Sequence, residues 1–175
     1  MAALEAIGRL SWILVPNVTH CSDAGWYGDR YPSARVLVPA AARGKLFEKV
    51  RRIDGSADED WPESLRGELA IVPLRGARNA EVAFVHAPSR TLVLTDAVFH
   101  YGDHDLPMLA RVFMRANRAY DRFGPSRIFT SFIVSDHDAF RTSIEALLEH
   151  DFDRVIMSHG RVLDAGGKAA IRDAF

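Results

Sequence analysis

Leu10-Ser-Trp-Ile-Leu-Val-Pro-Asn-Val-Thr-His-Cys-Ser-Asp23 decides how this chain folds. Its apolar half, Leu10 to Val15, stops at Pro16 and hands over to a polar segment carrying His20, Cys21 and Asp23. A short apolar run bounded by proline reads as a strand buried on both faces. The polar segment is then a loop at the end of that strand, where layered α/β folds bind their ligands.

Working outward, Ala2 to Ile7 reads as a short helix ended by Gly8, and Asp23 to Tyr31 as an aromatic-rich helix stopped by Pro32. Ala34 to Val38 is a second short buried strand, and Ala40 to Arg52 a helix with Leu46, Phe47 and Val50 on one face. The acidic stretch Asp54 to Asp60 is expected to be a surface loop. Three strands follow, at Leu69–Leu74, Glu81–Ala87 and Arg90–Thr95, the last two joined as a hairpin through Pro88-Ser89. Pro107 to Tyr120 is a helix with Leu109, Val112, Phe113 and Ala116 on a common face. Asp136 is placed to N-cap a helix to His150 striped by Phe140, Ile144, Leu147 and Leu148. A final buried strand, Arg154 to Met157, precedes a terminal helix from Gly167 to Phe175. Short strands alternating with amphipathic helices around a hairpin predict an α/β layered fold with a mixed sheet.

The 175 residues suit one domain, 1–175, able to bury a core without staples. Lys+Arg total 22 against 23 Asp+Glu, a balance that argues against nucleic acid as partner. The single cysteine excludes an internal disulfide framework and any multi-cysteine zinc module. No apolar run reaches the roughly 18 residues of a bilayer span, so no membrane partner is expected, and the N-terminus lacks a signal-peptide pattern. The expectation is a cytoplasmic protein in a reducing compartment.

Three strand ends carry groups suited to zinc, iron or manganese. They are the loop with His20 and Asp23; Asp96 with His100, Asp103 and His104 after it; and Ser158-His159-Gly160. Each has a plainer role open to it. His20 and His159 equally suit hydrogen-bonded structural histidines, and Asp96 a turn or cap. His100 and His104 suit a solvated loop, and His86, His137 and His150 a hairpin and a helix. Cys21 lacks a glycine-rich elbow or third partner and reads as a small buried hydrophobe rather than a nucleophile. Arg75, Arg78 and Arg90 are suited to anions but read first as solvated charge, with Glu81 available to pair with one of them. Trp26, Tyr27 and Tyr31 read as core packing on the sheet. No phosphate-binding glycine motif is present.

The order Thr19-His20, then Thr95-Asp96, then Ser158-His159-Gly160 resembles the metallo-β-lactamase superfamily. The phrases PNVTHCSDAGWYGDRYPSARVLVPA (16–40) and NAEVAFVHAPSRTLVLTDAVFH (79–100) are similar to a branch of it known as a domain of unknown function with a degenerate metal site. The resemblance runs from about Leu4 to Gly160 and implies an αββα sandwich. Its first metal motif reads T-H-x-H-x-D-H; Thr19 and His20 match the opening, whereas Ser22, Ala24 and Gly25 stand at the second His, the Asp and the third His. Asp23 is a carboxylate one position out of register. No His occurs near Arg75–Asn79, where the next ligand would fall. The bridging Asp matches Asp96 and the last His matches His159.

The resemblance thus implies at most one metal ion, zinc or iron, held by His20, Asp96 and His159 with His100 or Asp23 as replacements; Asp23 is also the first candidate for general base. Two function classes stay open. One is mononuclear metal-dependent hydrolysis of an ester, amide or phosphoester; the other is a non-catalytic descendant that binds a small molecule or a protein. In the superfamily a block of strands precedes the first metal motif, whereas here one strand does. The expectation is a sheet edge covered by a homodimer, or a start placed too late.

Overall fold

The computed structural model describes residues 2–102 and 106–175. Its elements run α1 (Ala2–Ile7), β1 (Trp12–Leu14), α2 (Ala24–Arg30), β2 (Arg35–Val38), α3 (Arg43–Leu46), β3 (Gly55–Ser56) and β4 (Leu69–Pro73). After them come β5 (Val82–His86), β6 (Thr91–Leu94), α4 (Met108–Ala116), α5 (His137–Leu148), β7 (Arg154–Met157) and α6 (Gly167–Ala174).

The strands form two sheets. β1, β2 and β3 are parallel in that order; β4, β5 and β6 are antiparallel, with β7 added parallel to β6. Alternation along each strand sorts side chains into layers. Val36 and Val38 face a core closed by α2 and α3 with Leu46 and Val50, while Leu37 faces the other way, toward Trp61 and Ile71. Trp12, Leu14, Leu69 and Ile71 fill that same space between the sheets. On the far side Val72, Ala83, Val85, Leu92, Leu94, Val155 and Met157 pack on Phe140, Ile144 and Leu147 of α5 and Ile171 of α6. Helix, sheet, sheet, helix is the αββα sandwich expected.

Several elements differ from expectation, each for a physical reason. β1 and β7 are edge strands, so they are not buried on both faces: all of β1 is half-buried, and β7 alternates with Arg154 exposed and Ile156 37% exposed. The helix expected over 40–52 is reduced to a 3₁₀ turn, Ala40–Ala42, and the single turn of α3, after which Lys49 and Val50 both donate to the Leu46 carbonyl in a closing turn. Phe47 is left outside while Leu46 and Val50 are buried. The acidic stretch is not a free loop. Asp54 accepts from Val36 N, Asp58 from Ala40 N and Asp60 from Ser56 N, and together they fold buried β3 onto β2. Trp26, Tyr27 and Tyr31 pack on one another rather than into the core, with Trp26 53% exposed.

Asp136 caps α5 as expected, accepting from Ala139 N at 3.0 Å. Replacing it with alanine is expected to lower stability by about 1 kcal/mol in urea denaturation.

Candidate metal centre

Asp96 and His159 each follow their strand, β6 and β7, by two residues. Because β6 and β7 are parallel neighbours, with Leu94 opposite Met157, their ends deliver the two side chains side by side. His20 comes from the other sheet, on the loop after β1. Two backbone bonds hold that loop in place: Val82 N donates to Pro16 O at 2.9 Å, and Val18 N to Asn79 O at 3.0 Å.

The result is a three-way junction at one atom. His20 Nε2 lies 2.8 Å and His159 Nε2 2.9 Å from the same Asp96 Oδ1. Among the described residues, His20, Asp96 and His159 form the one group able to offer three metal-ligating atoms within 4.8 Å of each other. Side-chain exposures of 31%, 18% and 28% leave the junction open to solvent on one side. Phe99 stacks on the His159 ring at 4.8 Å between centroids, which fixes its orientation.

The other oxygen of Asp96 is held separately. Thr19 Oγ1 donates to Oδ2 at 2.7 Å and Asn17 Nδ2 at 2.8 Å. Asn17 Oδ1 in turn accepts from Thr19 N and His20 N, so one buried amide shapes the loop that presents His20. Burial works against the charged form of Asp96, yet hydrogen bonds from His159 and Thr19 and the charge and hydrogen bond of His20 outweigh it. They hold the carboxyl well below the usual carboxylate range.

Behind Asp96 lies a buried carboxylate. Glu81 is 1% exposed and accepts from the backbone of Thr95 (2.8 Å), Asp96 (3.1 and 3.2 Å) and Ala97 (3.4 Å). It pairs with no arginine, contrary to the sequence expectation; its partners are the main-chain donors of the turn that carries Asp96. Burial pushes its pKa above the ordinary range, with the Thr95 bonds opposing. Asn79 Nδ2 reaches Glu81 and Asp96 at 3.3 and 3.4 Å, and its Oδ1 is buried without a partner.

The remaining candidates are placed as follows. Asp23 is exposed at the start of α2 and lines, with Thr19 and His20, a cavity of about 580 Å³ running along β1 to Leu4. His100 is outside the junction: its Nδ1 is 3.1 Å from the Arg161 carbonyl and its ring lies edge-on to Phe123. Asp103 and His104 lie outside the described residues. Cys21 is buried with its thiol directed at Val18 O. Arg90 forms a two-pronged surface pair with Asp151. A second, apolar cavity of about 190 Å³ meets Asp96 and Thr19 and is lined by Phe99, Ile128, Phe129 and Ile133.

No protein-family model matches the chain, and no curated protein does. Solved structures do. The DIM-1 metallo-β-lactamase superposes with TM-score 0.58 at 14% identity, over 92% of this chain and 66% of that one. The metal-soaked flavodiiron core of Flv1 from Synechocystis sp. PCC6803 gives 0.65 at 13%, over 99% and 45%. The FIM-1 metallo-β-lactamase of Pseudomonas aeruginosa in its mono-zinc form gives 0.58 at 9%, over 99% and 69%. The chain thus spans 66% of the length of DIM-1. At these identities the likeness concerns backbone architecture, and the two sheets and the flanking helices agree with it. The chain has the metallo-β-lactamase fold.

Proposed function

We propose that this chain is a mononuclear metal-dependent hydrolase acting on an ester, amide or phosphoester. The observation that carries the reading is the convergence of His20 Nε2 and His159 Nε2 on Asp96 Oδ1, at 2.8 and 2.9 Å. Two imidazoles and a carboxylate suit zinc or ferrous iron. Ligands around one such ion stand about 3.4 Å apart, so the two His–Asp96 pairs need to widen by only about half an ångström. The FIM-1 structure of the same fold is a mono-zinc form, which supports a one-ion centre. Such an ion supplies Lewis acidity and lowers the pKa of water toward about 7.

The chain's own residues do the rest. Asn17 and Thr19 occupy Asp96 Oδ2 and so keep Oδ1 for the ligand side. Phe99 holds the plane of His159. Asp23, on the wall of the cavity that His20 also lines, is assigned as the base that takes a proton from the attacking water. The cavity beside Asp96 would take an apolar part of the substrate.

Metal analysis of purified, untagged protein is expected to find close to one zinc or iron per chain. His20→Ala is expected to lower the affinity more than about 100-fold. Protein with no metal above background, and no change in His20→Ala, would overturn the reading. Asp23→Asn is expected to lose hydrolysis of a panel of esters, amides and phosphoesters while keeping the metal. Ser22, Ala24 and Gly25 at three ligand positions of the motif favour a second reading, a ligand-binding descendant without catalysis. A metal-loaded protein that turns over nothing in the panel yet binds small molecules decides for it. A homodimer through a sheet edge belongs to either reading, and light scattering checks it.

A further inference from the structure

The apolar stripe of α4 faces the wrong way for a core. Met108, Leu109, Val112 and Phe113 are 70%, 81%, 63% and 57% exposed, and no residue of α4 is buried. At 3.6 residues per turn these four lie within an arc of about 140°, opposite Ala110 and Met114, the half-buried side on which the helix rests. The patch continues onto the next segment. Arg127 N donates to Asn117 O at 2.8 Å and Arg127 Nη1 to Ala116 O at 3.2 Å, fixing that segment to the C-terminal end of α4. There Ile128 and Phe132 are 41% and 69% exposed.

The charge around this patch departs from that of the whole. The chain carries a net charge of -1, yet residues 107–128 hold Arg111, Arg115, Arg118, Arg122 and Arg127 against a single acid, Asp121. Arg115 lies over the Tyr120 ring at 4.9 Å, and Arg127 is held by a carbonyl. Among the described residues none of the five is in an ion pair with a carboxylate.

We infer that α4 with Ile128 and Phe132 lies on an anionic lipid surface. A convex ridge of Met, Leu, Val and Phe flanked by arginines is the pattern of a helix lying in the bilayer interface. There the apolar residues enter the acyl boundary and the guanidinium groups meet headgroup phosphates. A second copy of the chain is a poorer occupant, since a two-fold contact sets the same arginines against each other. Nucleic acid would use the charge but leave the aliphatic ridge without bases to stack on. The absence of a spanning helix among the described residues is no obstacle, because a helix lying flat needs no span. Ile128 also lines the apolar cavity beside Asp96, so the lipid-facing surface borders the candidate centre. The inference does not depend on a metal being bound there.

Flotation of the full chain with vesicles tests it. Vesicles of phosphatidylcholine with about one-third phosphatidylglycerol are expected to carry the protein up, and pure phosphatidylcholine vesicles to leave it behind. Raising the salt to about 0.5 M is expected to weaken the association. Arg115→Gln and Arg118→Gln are each expected to lower the partition coefficient about fivefold. The double variant Val112→Glu, Phe113→Glu is expected to abolish flotation with an unchanged circular dichroism spectrum, since both side chains are exposed. His20→Ala is expected to float like the wild type, which separates this result from the fate of the metal reading. Failure to float with anionic vesicles overturns the inference, as does flotation unaffected by the double variant. A dimer in light scattering that the double variant dissolves, or oligonucleotide binding without flotation, assigns the face to those partners instead.

Discussion

Replacing Gly160 with alanine is expected to destabilise the chain by about 3–5 kcal/mol and to weaken metal binding more than tenfold. Gly160 has φ +117, which side chains rarely adopt, and a Cβ built there meets His100 O at 2.3 Å and His100 C at 2.4 Å. Those are main-chain atoms, and they cannot rotate away. His100 N donates to His159 O at 2.9 Å and Arg161 N to His100 O at 2.8 Å, so the loop after β7 is laced to the loop after β6 at this residue. Pushing the two apart moves His159 away from Asp96. Urea denaturation and a metal titration of the same variant check both effects; an unchanged midpoint would mean the loops part without strain.

Glu81→Ala is expected to have a comparable effect, about 3–5 kcal/mol. It leaves the N–H groups of Thr95, Asp96 and Ala97 facing a cavity where a carboxylate had accepted all of them. Glu81→Gln should lose less, about 1–3 kcal/mol, because one oxygen remains while an amide N–H₂ now faces backbone donors. The pH dependence separates charge from shape. Burial places the Glu81 pKa in the folded chain above its ordinary 4.5, so its ionised form is disfavoured by folding. Its contribution therefore declines as the pH rises from 4.5 through the raised value. Asp96 has the opposite sign. Its folded pKa is depressed, so its contribution is present above 3.8 and lost as the pH falls below that. The gap between wild type and Glu81→Gln is expected to narrow as the pH rises above 4.5; a gap that widens would mean the glutamate is not disfavoured by burial.

The layers and the three strand ends were legible because each rests on neighbours in sequence: apolar runs, a proline stop, a hairpin turn, a capping aspartate. His20, Asp96 and His159 each sit where a strand pattern ends, and that is a local signal. The residues that make the junction work are not local. Asn17 reaches Thr95 and Asp96 across 78 and 79 positions, and nothing in Pro16-Asn17-Val18 announces it. Glu81, just before β5, looks from sequence like a partner for a surface arginine, because sequence does not show that the Thr95–Ala97 turn folds back over it. The orientation of α4 was equally hidden. Leu109, Val112 and Phe113 share a face by periodicity, but periodicity cannot say whether that face meets a core.

His20 belongs to one sheet and its two companions to the other, and this has a kinetic meaning. The pair on β6 and β7 is assembled by neighbouring parallel strands, whereas His20 joins only while the seam between the sheets is shut. The bonds from Val82 N to Pro16 O and from Val18 N to Asn79 O close that seam. Partial opening that releases β1 unhooks His20 and leaves Asp96 and His159 together, so the trio can come apart well below the free energy of global unfolding. Deuterium uptake at the amides of Val18 and Val82 is therefore a clock for site assembly, and an ion bridging both sheets should slow those two amides more than any in the α5 core.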